Sequence, residues 1–109
     1  MKHIDINNLN QYINTKDLYF HDSHILSFEY FNKQLNIVLQ KHDKSITKVI
    51  LQNIAKIEYR VGDSNEIDLR DRILDLDFKN NNDKLLVSIL MFNMAYIDIY
   101  CTKIDLEDC

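Results

Sequence analysis

A chain of 109 residues with no proline and a single glycine, Gly62, must turn on other residues. After glycine, asparagine and aspartate take the left-handed backbone of tight turns most easily. Turn residues of this kind gather at Asn32-Lys33, His42-Asp43-Lys44, Gly62-Asp63-Ser64-Asn65 and Asn80-Asn81-Asn82-Asp83. They cut the chain into short segments of the length an antiparallel sheet uses.

Inside the segments the hydrophobic period is two from residue 24 onward. Leu26, Phe28 and Tyr30 alternate with Ser27 and Glu29, and Leu35, Ile37 and Leu39 alternate with Asn36 and Gln40. Such alternation puts the apolar side chains on one face of each strand, so the two runs predict a hairpin. Further strands are expected at 46–52, 54–61, 73–79, 84–92 and 96–104, while 66–72 fits a helical turn as well as a short strand. The run Leu85 to Phe92 is apolar on both faces apart from Ser88, which predicts a central strand with a layer on either side. Only the start differs: Ile6, Leu9, Tyr12 and Ile13 recur at helical spacing behind Asp5, a good N-cap. The expectation is an α+β fold in one domain, residues 1–109. It has a helix at 5–14, a mainly antiparallel region at 24–104 that is strongly curled or closed into a barrel, and an acidic tail at 105–109.

Charge and composition exclude several functions. The formal net charge of −4 argues against a phosphate backbone as the main partner, so nucleic acid is not expected. No run approaches the roughly 18 apolar residues of a membrane helix, and Met1-Lys2-His3-Ile4-Asp5 lacks the apolar core of a signal peptide. A cytoplasmic protein follows as the expectation. Cys101 lies in a strand-like run and Cys109 at the end, without a CxxC spacing, and both are expected as free thiols.

No catalytic, metal or cofactor motif stands out. Phe20-His21-Asp22-Ser23-His24 and His42-Asp43 hold ligand and acid–base residue types. In extended chain, however, His21 and His24 point to opposite faces. A hairpin that matches its apolar faces turns at Asn32-Lys33 with His24 opposite Lys41, or sets His24 opposite Asp43; neither register pairs His24 with His42. Asp22 and Ser23 are then expected to turn the backbone into the first strand. Cys101 should be a buried, inert thiol and Cys109 a mobile, exposed one. There is no GxSxG turn, and one glycine cannot make a Gly-rich phosphate loop. Asp75 and Asp77 share a strand face because Leu74, Leu76 and Phe78 take the other.

The stretches FHDSHILSFEYFNKQLNIVLQ, TKVILQNIAKIEY and IDIYCTKIDLED, from residue 20 to the end, resemble small bacterial β-rich proteins whose first strand begins with a His-Asp-Ser step. Some of these resemble immunity proteins of polymorphic and contact-dependent toxin systems. The resemblance implies a cytoplasmic inhibitor that binds a cognate toxin and has no chemistry of its own; it carries over no functional residue. Candidate partner-binding residues come from charge instead: Asp63, Glu66, Asp68, Asp71, Asp75 and Asp77 make six acids against two arginines between 63 and 77. They would face a basic toxin domain, where complementary charge speeds association. A small-ligand carrier or enzyme on a curled sheet, with His24 and tyrosines such as Tyr59, Tyr96 and Tyr100 lining a cavity, is the alternative. Assembly through an exposed strand edge is a third, since no proline guards one.

Overall fold

The computed structural model describes residues 1–60, 72–91 and 95–109. Its strands are β1 Lys2–Ile4, β2 Ser23–Phe31, β3 Gln34–Gln40, β4 Ile46–Gln52, β5 Lys56–Arg60, β6 Arg72–Asn81, β7 Lys84–Met91, β8 Tyr96–Cys101 and β9 Lys103–Asp108. All belong to one antiparallel sheet, in the order β1-β9-β4-β3-β2-β6-β7-β8-β5. One α-helix, α1 at Leu9–Tyr12, and a 3₁₀ turn at Lys16–Leu18 lie between β1 and β2. Among the described residues β1 and β5 end the sheet without pairing to each other, so the sheet is open and no barrel closes.

One face of this sheet is apolar from end to end. Ile4 pairs with Ile104, Ile104 with Leu51 and Leu51 with Leu35; on the far side Phe78 pairs with Val87 and Val87 with Ile99. All of these residues belong to a single buried cluster. Among the described residues the cover supplied from outside the strands is small: Leu9, Leu18, Phe20, Ile54 and Ala95 are its buried members. The sheet must therefore wrap its apolar face around those plugs and onto itself.

The bend has a local cause. Among the described residues β2 and β6 pair at Ser23–Ile73 and His24–Arg72, and a β-bulge flanks the seam in each strand, between Ile25 and Ser27 and between Ile73 and Asp75. Bulges bend a strand and increase its twist. Beyond the first bulge the hairpin has the predicted register, with Phe28 opposite Ile37, Tyr30 opposite Leu35 and Asn32-Lys33 in the turn. Before it the register slips by one: His24 faces Gln40, neither Lys41 nor Asp43. Leu26, expected inside, is the extra residue and points outward at 51% exposure, with Ile25 in its place. The β6 bulge likewise leaves Leu74 half-buried and turns Ile73 inward.

Three other expectations are corrected. The helix of 5–14 shrinks to Leu9–Tyr12, because Asp5 and Asn8 lock a preceding turn. Asp5 Oδ1 accepts from the Asn7 and Asn8 amides, and Asn8 Oδ1 accepts from the Asp5 amide at 2.8 Å. Leu9 alone on α1 is buried, and Ile6 and Ile13 stay exposed. The strand of 96–104 is two, broken at Thr102. The acidic tail is strand β9, inserted between β1 and β4. There Asp105 is buried, accepting from Gln52 Nε2 and lying 2.6 Å from His3 Nδ1. β7 is interior as expected, but only Leu85, Val87, Ile89 and Met91 are buried, and the Leu86-Ser88-Leu90 face stays half-exposed.

Turn chemistry matches the composition. Of the seven non-glycine residues with positive φ among the described residues, five are asparagine or aspartate; the others are Lys33 and Lys44. Asn32 and Lys33, at φ 54° and 60°, form the twin left-handed pair of a type I′ turn, where glycine is preferred second. Lys33→Gly should stabilise the fold by about 0.5–1 kcal/mol, the left-handed cost relieved less the entropy glycine loses; a lower melting temperature would refute the turn assignment. Asp105→Ala, which strands the Gln52 donor, should cost about 1–3 kcal/mol in urea unfolding, whereas Asp108→Ala at the exposed end of β9 should stay within about 0.5 kcal/mol.

Candidate functional site

The outer face of β6-β7-β8-β5 carries a pattern set by register. Its middle row reads Asp77, Ser88, Asp98 and Glu58 across the four strands. On one side runs Lys79, Leu86, Tyr100 and Lys56, and on the other Asp75, Leu90, Tyr96 and Arg60. A line of carboxylates is thus bordered by two leucine–tyrosine pairs. Each tyrosine is overhung from β5: Lys56 Nζ lies 5.7 Å from the Tyr100 ring centroid and Arg60 Cζ 5.5 Å from that of Tyr96, within cation–π range. Lys56 also donates to Glu58 at 2.8 Å, and that hydrogen bond raises the lysine pKa. Tyr96 is exposed and Leu86, Leu90, Asp98 and Tyr100 are half-exposed. Tyrosine and arginine anchors beside apolar side chains, ringed by charge, are the composition of protein-binding surfaces.

The outer face of the opposite half is built differently. There His3, Asp105 and Ile50 share one row and Val38, Lys48 and Glu107 another. Its one buried carboxylate among the described residues, Asp105, is engaged by His3 and Gln52, and none of the residues in these two rows is a tyrosine, phenylalanine or tryptophan.

Of the six acidic residues picked out by charge, Asp75 and Asp77 stand on the β6-β7-β8-β5 face. Asp63, Glu66, Asp68 and Asp71 lie outside the described residues. Glu58, Asp98, Leu86, Leu90, Tyr96 and Tyr100 were not singled out as one surface, since their meeting depends on strand order. The one signal for it was the run 85–92, apolar on both faces, which reports a second face of β7 that is apolar without being covered.

Histidines do not assemble a reactive centre. Asp22, at φ 61°, turns the chain into β2 as expected. His21 lies beside the Tyr19 ring, with centroids 6.2 Å apart, and His24 points outward opposite Arg72. His42 approaches Asp22 rather than His24, at 3.7 Å, and Arg72 Nη1 lies 3.3 Å from the other Asp22 oxygen. Ser23 is buried with its hydroxyl unpaired. No group of three or more histidine, cysteine or acidic side chains suited to a metal occurs among the described residues.

An open cleft of about 960 Å³ lies between residues 13–20, the β3–β4 turn and β6. Tyr19 and His42 line it, but the residues named for a ligand pocket do not. Tyr96 and Tyr100 are on the outer face, Tyr59 is on the inner face of β5, and His24 is at the seam. Burial pushes the Cys101 thiol up to about 12. Cys109 is exposed, and its amide donates to Ile46 at 3.0 Å, which ties the residue expected to be mobile to the sheet. A thiol reagent at neutral pH should modify Cys109 alone in the folded protein and Cys101 only after unfolding; rapid labelling of both would contradict this packing.

The described residues define an open, bent antiparallel sheet with an aromatic–acidic outer face on β6-β7-β8-β5 that none of them covers. No family model matches the chain, and no curated protein does. Among solved structures it is similar to an uncharacterized protein from Neisseria gonorrhoeae, with a TM-score of 0.62 and 11% identity over 98% of both chains. That likeness is one of fold. No helix among the described residues is long and apolar enough to cross a membrane.

Proposed function

We propose that this is a non-enzymatic protein-binding domain, an immunity protein that binds and neutralises a basic bacterial toxin domain in the cytoplasm. The observation that carries the proposal is the β6-β7-β8-β5 outer face, where Asp77, Asp98 and Glu58 run between Leu86–Tyr100 and Leu90–Tyr96. Its tyrosines and leucines supply desolvated contacts, and its carboxylates supply attraction to a cationic partner. The net charge of −4 acts in the same direction over longer range. The likeness of the His-Asp-Ser strand start to immunity proteins supports the same function.

The test joins capture to rescue. Tagged protein is used to isolate its partner from its own cells, and the partner is then expressed alone and together with this protein. The expected outcome is a basic partner that arrests growth alone and is silenced by co-expression, with binding weakened by salt. Tyr96→Ala/Tyr100→Ala and Asp77→Lys/Asp98→Lys, each folded by circular dichroism, should weaken binding about tenfold or more and lose the rescue. A harmless partner, no partner, or full rescue by both variants would sink the proposal.

A further inference from the structure

Past the two-residue seam with β2, strand β6 pairs with β7 on one side only. Its other edge, from Asp75 to Phe78, opens into the cleft. The Leu76 amide on this stretch donates to Asp75 Oδ1 at 2.9 Å, a side chain standing where a neighbouring strand would accept. Residues 13–20 form the opposite wall without a ladder to β6. The cleft's 960 Å³ lies near the top of the roughly 300–1,000 Å³ range of ligand sites.

The cleft has an apolar floor and an acidic rim. Phe20 and Phe78 lie below, ring centroids 6.1 Å apart. Asp43, Asp75, Asp77 and Asp108 stand around the opening, and no described cation is within ion-pair distance of any of them. Hydrogen bonds from the Ser45 hydroxyl and amide hold Asp43 below the usual carboxylate range. Of the two lysines that line the cleft, Lys41 has its Nζ 4.8 Å over the Phe20 ring, donating to the Lys16 carbonyl at 3.1 Å.

We propose that the cleft takes an extended lysine- or arginine-bearing segment of a protein, its main chain added to the β6 edge at Asp75–Phe78. Strand addition satisfies main-chain groups along an open edge and leaves alternate side chains to be read by what lines the groove. Here the Asp75, Asp77 and Asp108 carboxylates read the basic side chains, and Phe20 and Phe78, on the buried side of β6, meet the alternate apolar ones. The inference rests on the basic protein partner proposed above and gives part of that partner a shape. Where the sheet face would hold a folded surface, the cleft would hold a strand.

The probe is a fluorescein-labelled octapeptide alternating lysine and valine, with a glutamate–valine octapeptide as control, each titrated with the full chain by anisotropy. Binding of the lysine peptide at least about tenfold tighter than the control is expected, with nitrogen-15 amide shifts at residues 75–78 and 13–20. Asp75→Lys/Asp108→Lys should weaken it about tenfold or more, and Asp75→Asn/Asp108→Asn by less, in variants whose thermal melting shows them folded. Equal binding of both peptides, shifts confined to other strands, or undiminished binding by both folded variants would overturn the inference. So would saturation by spermine that displaces the peptide while the β6-edge amides do not move. If the peptide fails while Asp77→Lys/Asp98→Lys still abolishes partner capture, the cleft is wrong and the binding function stands; if both fail, both are wrong.

Discussion

The fold depends on one face of a nine-stranded sheet being apolar with little laid upon it by the described residues outside the strands. Each fully buried leucine, isoleucine or valine is worth about 1.5–3 kcal/mol relative to exposure, and ordering every residue works against that sum. Leu9, Leu18, Phe20, Ile54 and Ala95 supply the cover that described residues outside the strands give. The remaining burial must come from sheet against sheet, so the bend at the β2–β6 seam decides whether there is a core. Two bulges beside the described β2–β6 pairs bend the strands where the halves must fold together.

A sheet that spends its inner face on itself shows its outer face to solvent. The half containing β1, β9 and β4 settles this with polar pairs, Asp105 with His3 and Gln52 among them. The half containing β6, β7, β8 and β5 keeps two tyrosines and two leucines around a carboxylate row, with Lys56 and Arg60 laid over the rings. That asymmetry is the physical ground for assigning partner binding to one side of the molecule. The open β6 edge follows from the same geometry, since a seam that bends sharply cannot stay paired along its length.

Much of the fold was legible because alternation is a local signal. β4 was expected at 46–52 and is found at Ile46–Gln52, and the Asn32-Lys33 turn sets the hairpin register as its chemistry requires. The misses share a cause in tertiary context. Leu26 looked like a core residue because alternation counts positions and a bulge inserts one. Residues 105–108 looked like a tail because their charge is visible in sequence, whereas their place between β1 and β4 depends on strand order. Asp5 was expected to cap the helix, but the cap position falls to Asn8 and Asp5 closes the turn before it. The candidate face was half legible: Asp75 and Asp77 could be assigned outward, yet their meeting with Asp98, Tyr96 and Tyr100 lies in the pairing of β6 through β8.

The most direct measurement is oxidative footprinting of tyrosine and phenylalanine side chains in the free protein and in its complex with the captured partner. Protection of Tyr96 and Tyr100, with Tyr30 and Phe31 at the exposed β2–β3 hairpin unchanged, is the predicted result. Unchanged labelling of Tyr96 and Tyr100 in a complex whose binding is otherwise established would contradict the account, because the partner would then sit on some other surface.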